Sequence, residues 1–258
     1  MDDAEQVRGY IRAYEWGGPT SALQLHHLRE LSHLIRPGDT VVDLACGPGP
    51  LMLELAPLYR DTTFIGADLS ARMLDHLRQE SAARGLKNIT IAQEDIRTLP
   101  SLESGGIDLV ISTSSLHHLS DESGLREVFR RIRSLLKPGG GFYIFDFGLL
   151  RSAEARNLFV REVAKLAPAV TARDYDLSLQ AAFPIDRVFE IARSELPKPF
   201  TCMRSALVDF FYFLQTPPIT ARSSAAEEHI DKRWRTLSAS MKAEHVMIRT
   251  IRRRTVAT

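Results

Sequence analysis

The chain has 258 residues and only two cysteines, Cys46 and Cys202. Neither a disulfide framework nor a cysteine-based zinc site follows from that count. Charge of one sign is also missing: 33 basic residues stand against 32 acidic ones. Such a balance gives no general case for nucleic acid or a lipid surface as partner. The one local excess, four arginines between Arg249 and Arg254, reads as a solvated terminus. No window holds eighteen apolar residues, so no membrane span is expected. The first thirty residues lack the basic-then-apolar order of a secretory signal, and a cytoplasmic location is the expectation. Internal repeats and low-complexity tracts are absent as well. The length suffices for a full hydrophobic core, as one domain with an elaboration.

What is present is a run of short apolar strands alternating with helical segments. Thr40 to Leu44 reads as a buried strand, followed by Ala45-Cys46-Gly47-Pro48-Gly49 and a helix carrying Leu51, Leu55 and Leu58. Thr63 to Ala67 is the next strand, and Asp68 ends it. Ser70 caps a helix with Met73, Leu74 and Leu77, which Gly85 stops. Further strands are expected at Ile89 to Ala92, Ile107 to Ser112 and Phe142 to Phe147, with a helix from Asp121 or Ser123 through Leu136 between the last two. The alternation predicts a parallel, doubly wound sheet with helices on both faces. Strand, glycine turn, helix and a second strand ending in an acid build a nucleoside crevice. Small residues there let backbone approach a ligand, and an acid about twenty residues on suits ribose hydroxyls. The same acid would suit NAD; the missing third glycine argues against it.

After residue 148 the pattern changes. Residues 151–167 and 184–196 read as amphipathic helices, and Pro199 to Ser205 as a sixth strand. Ala206 to Leu214 is strongly aromatic, residues 224–243 look like a polar helix, and His245 to Ile251 has a strand-like core expected to close the sheet. Residues 205–244 are too long for a plain connection, so they are expected to be a site cover or a partner surface. The apolar run at 205–218 is a candidate homodimer contact.

These motifs resemble the class I S-adenosylmethionine-dependent methyltransferase family over residues 35 to 147. The residues that carry the resemblance are Asp43 with Cys46-Gly47 and Gly49, Asp68-Leu69-Ser70 with Met73, and Asp95-Ile96. Asp108-Leu109-Val110, Ser115-Leu116-His117-His118-Leu119 and Leu136-Lys137-Pro138-Gly139-Gly140 complete the order. Ala45 departs from the glycine that many members have. The resemblance implies a Rossmann-like seven-stranded sheet whose last strand runs antiparallel between its neighbours. Residues 199–204 and 245–251 are expected to supply the last two strands. It also implies a helical lid at 1–35, a cofactor-binding core at 36–148 and acceptor-side helices with closing strands at 149–258.

The implied cofactor is S-adenosyl-L-methionine. Asp43, Ala45, Gly47 and Gly49 would face its methionine end, Asp68 its ribose, and Leu69, Met73, Asp95 and Ile96 its adenine, with Ser112 near the sulfur. His117, His118 and Asp146 are the candidate acid–base residues. The two histidines are adjacent and cannot face the same way, and neither has a second metal ligand at sensible spacing, so no metal is expected. Tyr10, Tyr14 and Trp16 of the lid, Tyr175, and Phe211 within the aromatic run are the candidate acceptor contacts. A small-molecule acceptor is expected. The residues after the fourth strand lack the motif of DNA amino methylation, and no RNA-recognition module is evident. A peptide or protein acceptor, a non-catalytic partner keeping the fold, and cleavage or cyclisation of the cofactor are the alternatives.

Overall fold

The computed structural model describes residues 4–165, 167–206, 208–250 and 252–257. The first three residues of the expected lid, and Ile251 of the expected closing strand, lie outside them. Helix α1 (Ala4–Tyr14) and helix α2 (Ser21–Leu31) come first, broken apart by Gly17-Gly18. Then β1 (Thr40–Leu44), α3 (Pro50–Leu55), β2 (Thr63–Asp68), α4 (Ala71–Ala83), β3 (Ile89–Gln93), β4 (Ile107–Thr113) and a 3-10 turn at Leu116–His118 follow. Next are α5 (Glu122–Leu135) and β5 (Leu136–Phe147). The last third holds α6 (Ala153–Ala164), α7 (Ala169–Ala181), α8 (Ile185–Glu195), β6 (Phe200–Ser205), β7 (Phe211–Gln215), α9 (Ser224–Thr236), α10 (Ala239–Thr250) and β8 (Arg252–Ala257).

The strands form one sheet in the order β3-β2-β1-β4-β5-β7-β6-β8. The first five pair in parallel, and β7 lies antiparallel between β5 and β6. Seven strands thus have the expected Rossmann-like arrangement, and β8 adds an eighth at the edge, antiparallel to β6. Strand order reverses between β1 and β4, which makes the carboxyl ends of those two strands the crevice of the sheet.

Local chemistry accounts for most boundaries. Ser70 Oγ accepts the Met73 N–H at the start of α4, and Gly85 leaves that helix with φ +64°. Asp121 is the cap of α5, accepting from the N–H groups of Ser123 and Gly124. One face of the sheet packs its side chains with α2, α3, α4, α9 and α10, through residues such as Leu25, Leu51, Leu77, Ile230 and Ile248. The other packs with α5 and α8, through Val128, Phe129, Ile132, Val188 and Ile191.

Three expectations are corrected. The antiparallel strand is 211–215, inside the aromatic run, because all five of its side chains are buried between the two helical layers. Phe211 therefore packs against Phe145 and Phe213 in the core and does not line the crevice. Residues 245–250 are helical: His245 and Ile248 are buried, one helical turn apart, whereas Val246 and Met247 between them are exposed. The late glycine turn lies within β5, where the register slips between the pairs Ile107–Leu136 and Leu109–Gly141. A helix the sequence reading had passed over, α7, follows α6.

The helical register of α10 makes a direct expectation. Ile248→Ala should lower unfolding free energy in urea by about 2–5 kcal/mol. Val246→Ala, half exposed, should change it by no more than about 0.5 kcal/mol. In a strand the two side chains would share a face, and equal losses at both positions would contradict the helix.

Candidate active site

The crevice is built by the turn after β1. Ala45, Gly47 and Gly49 all have left-handed backbones, with φ of +52°, +56° and +69°. The two glycines adopt it freely; Ala45 does so with a methyl group in place of hydrogen. Their reasons differ. A Cβ on Gly49 would stand 2.4 Å from Leu77 of α4, so this glycine lets the turn pack on the helix. A Cβ on Gly47 would meet the Tyr10 ring at 3.5 Å, so this one faces the lid.

Asp68 ties the turn to β2. Its Oδ2 accepts the Gly47 N–H and its Oδ1 the Ser70 N–H, both at 2.8 Å. Each oxygen keeps a lone pair, and a carboxylate held this way suits a ribose diol.

Asp43, one strand over, is buried at 3 % exposure, and its Oδ1 has no hydrogen-bond partner. Burial, and then the charge of Asp68, push its carboxyl up to about 8. It lines a small cleft together with Tyr10, Tyr14, Gln24, His27, Ala45, Thr113 and Ser114. The free void there is about 10 Å³, room for one water. An unpaired buried carboxyl is costly, and no lysine or arginine lines the cleft. The chemistry of this donor set fits the ammonium end of an amino-acid ligand, next to the ribose site at Asp68.

Helix α1 closes the cleft. The Tyr10 and Tyr14 rings stack at 4.5 Å, and burial raises both phenols above their ordinary range, so they stay neutral. Trp16 does something else. Its Nε1–H donates to Thr236 Oγ1 at 2.8 Å, and the Arg233 guanidinium lies 4.6 Å over its ring. It borders an adjoining outer cavity of about 290 Å³ with Glu54, His76 and Arg84, which shares Tyr14 and Gln24 with the cleft, and does not itself line the cleft. Glu54 is buried there; although burial opposes its charge, His229 and Arg233 hold its carboxyl below the usual range.

The adenine-side residues are less assembled. Asp95 holds its own neighbour Arg97 through both carboxylate oxygens, and that pair keeps it below the usual range. Ile96 packs in the core beside Leu44 and Leu116. Met73 is buried, and Leu69 is 66 % exposed on the rim. Ser112 is fully buried, its Oγ 2.8 Å from Ser115 Oγ, so it braces the loop after β4 while Thr113 and Ser114 line the cleft.

That loop carries the acid–base candidates. Asp146, at the end of β5, accepts the backbone N–H groups of Ser115, Leu116 and His117 on Oδ2. On Oδ1 it accepts the Phe147 N–H at 2.7 Å, and the His117 Nδ1 lies 2.6 Å away. Burial opposes the charge of Asp146, but the His117 ring and the N–H groups outweigh it and hold the carboxyl below its usual range. With Nδ1 facing a carboxylate, the neutral form of the ring carries its hydrogen on Nδ1 and leaves Nε2 as the acceptor. That Nε2 is buried without a partner. His118 is exposed and lies against the His117 ring at 4.2 Å between centroids. Tyr175, on α7, meets Phe147 edge-on at 5.8 Å.

Two cleft residues went unread in the sequence, Gln24 and His27 on α2. Gln24 Nε2 donates to the Tyr14 carbonyl and to Thr20 Oγ1, which fixes the lid to α2. His27 Nδ1 is hydrogen bonded to the Tyr143 hydroxyl at 2.7 Å, and burial lowers its pKa to about 3. The available signal was a pair of polar side chains on the apolar face of a helix.

A crevice at a topological switch point, with one acid tied to the glycine turn and a second acid buried beside it, defines an α/β domain of the Rossmann-like type. Residues 41–140 match the model of the methyltransferase domain family. A trans-aconitate 2-methyltransferase of Deinococcus radiodurans is 38% identical over 114 residues, 43% of this chain and 40% of that protein. A ubiquinone/menaquinone biosynthesis C-methyltransferase of Legionella pneumophila is 32% identical over 157 residues, 56% of this chain and 58% of that one. The chain thus spans about half the length of such relatives. Among solved structures, an S-adenosylmethionine-dependent methyltransferase from Aquifex aeolicus superposes with a TM-score of 0.58 at 15% identity, covering 85% of this chain and all of that one. A putative methyltransferase from Methanococcus maripaludis gives 0.58 at 21% identity, over 86% and 97%. These likenesses establish the fold.

Two expectations follow for the cleft. Asp68→Ala should weaken S-adenosylhomocysteine binding by about 1–3 kcal/mol, read by calorimetry; unchanged affinity in a folded variant would remove the ribose role. Asp43, raised to about 8 in the free protein, is protonated at neutral pH. An ammonium favours the ionised form, so binding should release a proton. Affinity should rise between about pH 6 and about 7.5, by up to about tenfold per unit. Asp43→Asn should abolish the release; equal proton release by that variant would place the titration elsewhere.

Proposed function

We propose that the protein transfers a methyl group from S-adenosylmethionine to a small-molecule acceptor by in-line displacement. The observation that carries this reading is the buried Asp43 carboxyl with a free oxygen in a cleft without cationic side chains, next to the Asp68 tie. When bound, the cofactor supplies a methyl group already activated by its sulfonium. The chain's own residues do the rest. Asp68 and the glycine turn hold the nucleoside end, and Asp43 holds the amino-acid end. Tyr10 and Tyr14 cover the cleft and exclude water, which strengthens every charge interaction beneath them. The remaining task is to bring the acceptor into line at near-attack distance, a positional effect. His117 is the base for an acceptor that must lose a proton, oriented by Asp146, which also stabilises the charge that develops on the ring.

A small acceptor is supported by the narrow, lidded cleft and by the names of the relatives, which include enzymes for trans-aconitate and for ubiquinone and menaquinone biosynthesis. Incubation with methyl-labelled S-adenosylmethionine and a cell extract, separated into metabolite and macromolecule fractions, tests the proposal. Label is expected in the metabolite fraction. Label confined to protein or RNA would overturn the small-molecule part. No transfer from an extract, with cofactor binding demonstrated, would overturn the activity.

A further inference from the structure

Beyond Ser114, the loop after β4 runs into a group of rings that the cofactor cleft does not use. The His117 ring lies 5.4 Å from Phe147. Phe147 in turn meets Tyr175 at 5.8 Å and Phe210 at 5.9 Å, and Phe210 stacks flat on Phe159 at 4.3 Å. His117, Phe147 and Phe210 belong to the body of the domain. Phe159 and Tyr175 belong to the α6–α7 hairpin. Helix α6 buries none of its residues, and α7 packs on α1 and on the 3-10 turn that carries His117. The hairpin is thus a lightly held cover over a group of rings that includes His117, whose Nε2 is buried and partnerless among the described residues.

We infer that the acceptor is an uncharged hydroxyl compound with a flat apolar ring, seated between Phe147 and the α6–α7 hairpin, whose hydroxyl proton is taken by His117 Nε2. The inference rests on the methyl-transfer reading and narrows it to a substrate class. Three observations carry it. The first is the dyad itself. An acceptor already ionised, such as a carboxylate, has no proton to give, and a buried imidazole oriented by a carboxylate would have no task with it. The second is charge. A carboxylate or phosphate drawn into a dry seam needs a cation. Of the cations on the hairpin and its approach, Arg151 is engaged with Asp209, Arg156 with Asp176, Lys165 with Glu162 and Arg161 with the Asn157 carbonyl, and Arg173 is exposed on α7. Asp146 adds a negative charge beside the seam and would repel a second. The third is shape. Rings in edge-to-face and offset contact gain from another flat ring inserted among them.

The step balances without a further reactant. The acceptor O–H bond breaks, and its proton passes to His117. The oxygen's electron pair forms the new bond to the methyl carbon while the carbon–sulfur bond breaks with its pair left on sulfur. The products are a methyl ether, a neutral thioether and an imidazolium facing Asp146, which loses its proton to solvent when the hairpin opens.

The test uses the full chain with methyl-labelled S-adenosylmethionine and a fixed panel: 1-naphthol, catechol and hydroquinone against benzoate and trans-aconitate. Binding of S-adenosylhomocysteine is measured first by calorimetry; its failure would sink the methyl-transfer reading, and this inference with it. With binding present, label is expected on at least one of the three hydroxyl compounds, at about ten times or more the rate on either carboxylate. His117→Gln should keep S-adenosylhomocysteine binding, lose about a hundredfold or more in kcat, and flatten its rise with pH. Tyr175→Ala should raise KM for the ring acceptor several-fold with kcat nearly kept. Faster labelling of a carboxylate, no labelling of any hydroxyl compound by a protein that binds S-adenosylhomocysteine, or an unchanged pH profile in His117→Gln would each overturn the substrate class.

Discussion

The carboxylate of Asp146 accepts five hydrogen bonds, four from backbone N–H groups and one from the His117 ring. It is fully buried, so each of those donors offsets part of a large desolvation cost, and together they leave it ionised. The arrangement fixes the end of β5 to the loop after β4. That loop supplies Thr113 and Ser114 to the cofactor cleft and His117 to the ring-lined seam. The two halves of the site are therefore set by a single side chain that touches neither ligand. A carboxylate at this place also decides which nitrogen of a neutral His117 ring carries hydrogen, and so fixes the ring's orientation.

The glycine turn works by the same economy of position. Gly49 yields its side-chain volume to Leu77, Gly47 yields its own toward Tyr10, and Asp68 accepts the Gly47 N–H. Packing, lid contact and anchorage are thus distributed over two glycines of one turn and the acid that ties it to β2. Above it, α1 leans on α7, where a Cβ on Gly9 would come within 3.1 Å of Thr171 Oγ1. The amino-terminal helix and the α6–α7 hairpin share that contact, so the cleft beneath Tyr10 and the rings around Phe147 lie under one continuous cover.

The parallel half of the sheet was legible because its strands are short apolar runs between glycine, proline and capping residues, each a local signal. Asp68, Gly47 and the Ser70 cap stood out for the same reason. The carboxyl-terminal half was not legible, since its signals are not local. Phe211 to Gln215 is buried on both faces and so lacks the alternation that marks a strand; its aromatics read equally well as a pocket wall. His245 to Ile248 contains apolar residues that alternate loosely, and only the contact with α2 reveals a helical register. Gln24 and His27 could not be found by motif, because the cleft they line is formed by elements far apart in the chain. Trp16 was read as an acceptor contact from its neighbours in sequence, and it serves the outer face.

Trp16 bonds to Thr236, 220 residues further along, and Arg233 of the same helix covers its ring while gripping Glu54 beside the glycine turn. The lid is encoded at the start of the chain, yet what clamps it is encoded near the end. During synthesis, the five parallel strands and the tie between Asp68 and Gly47 can form well before α9 leaves the ribosome, while the clamp on Trp16 cannot. The nascent domain therefore passes through a stage in which its crevice is built and its cover is held to α2 but not yet clamped.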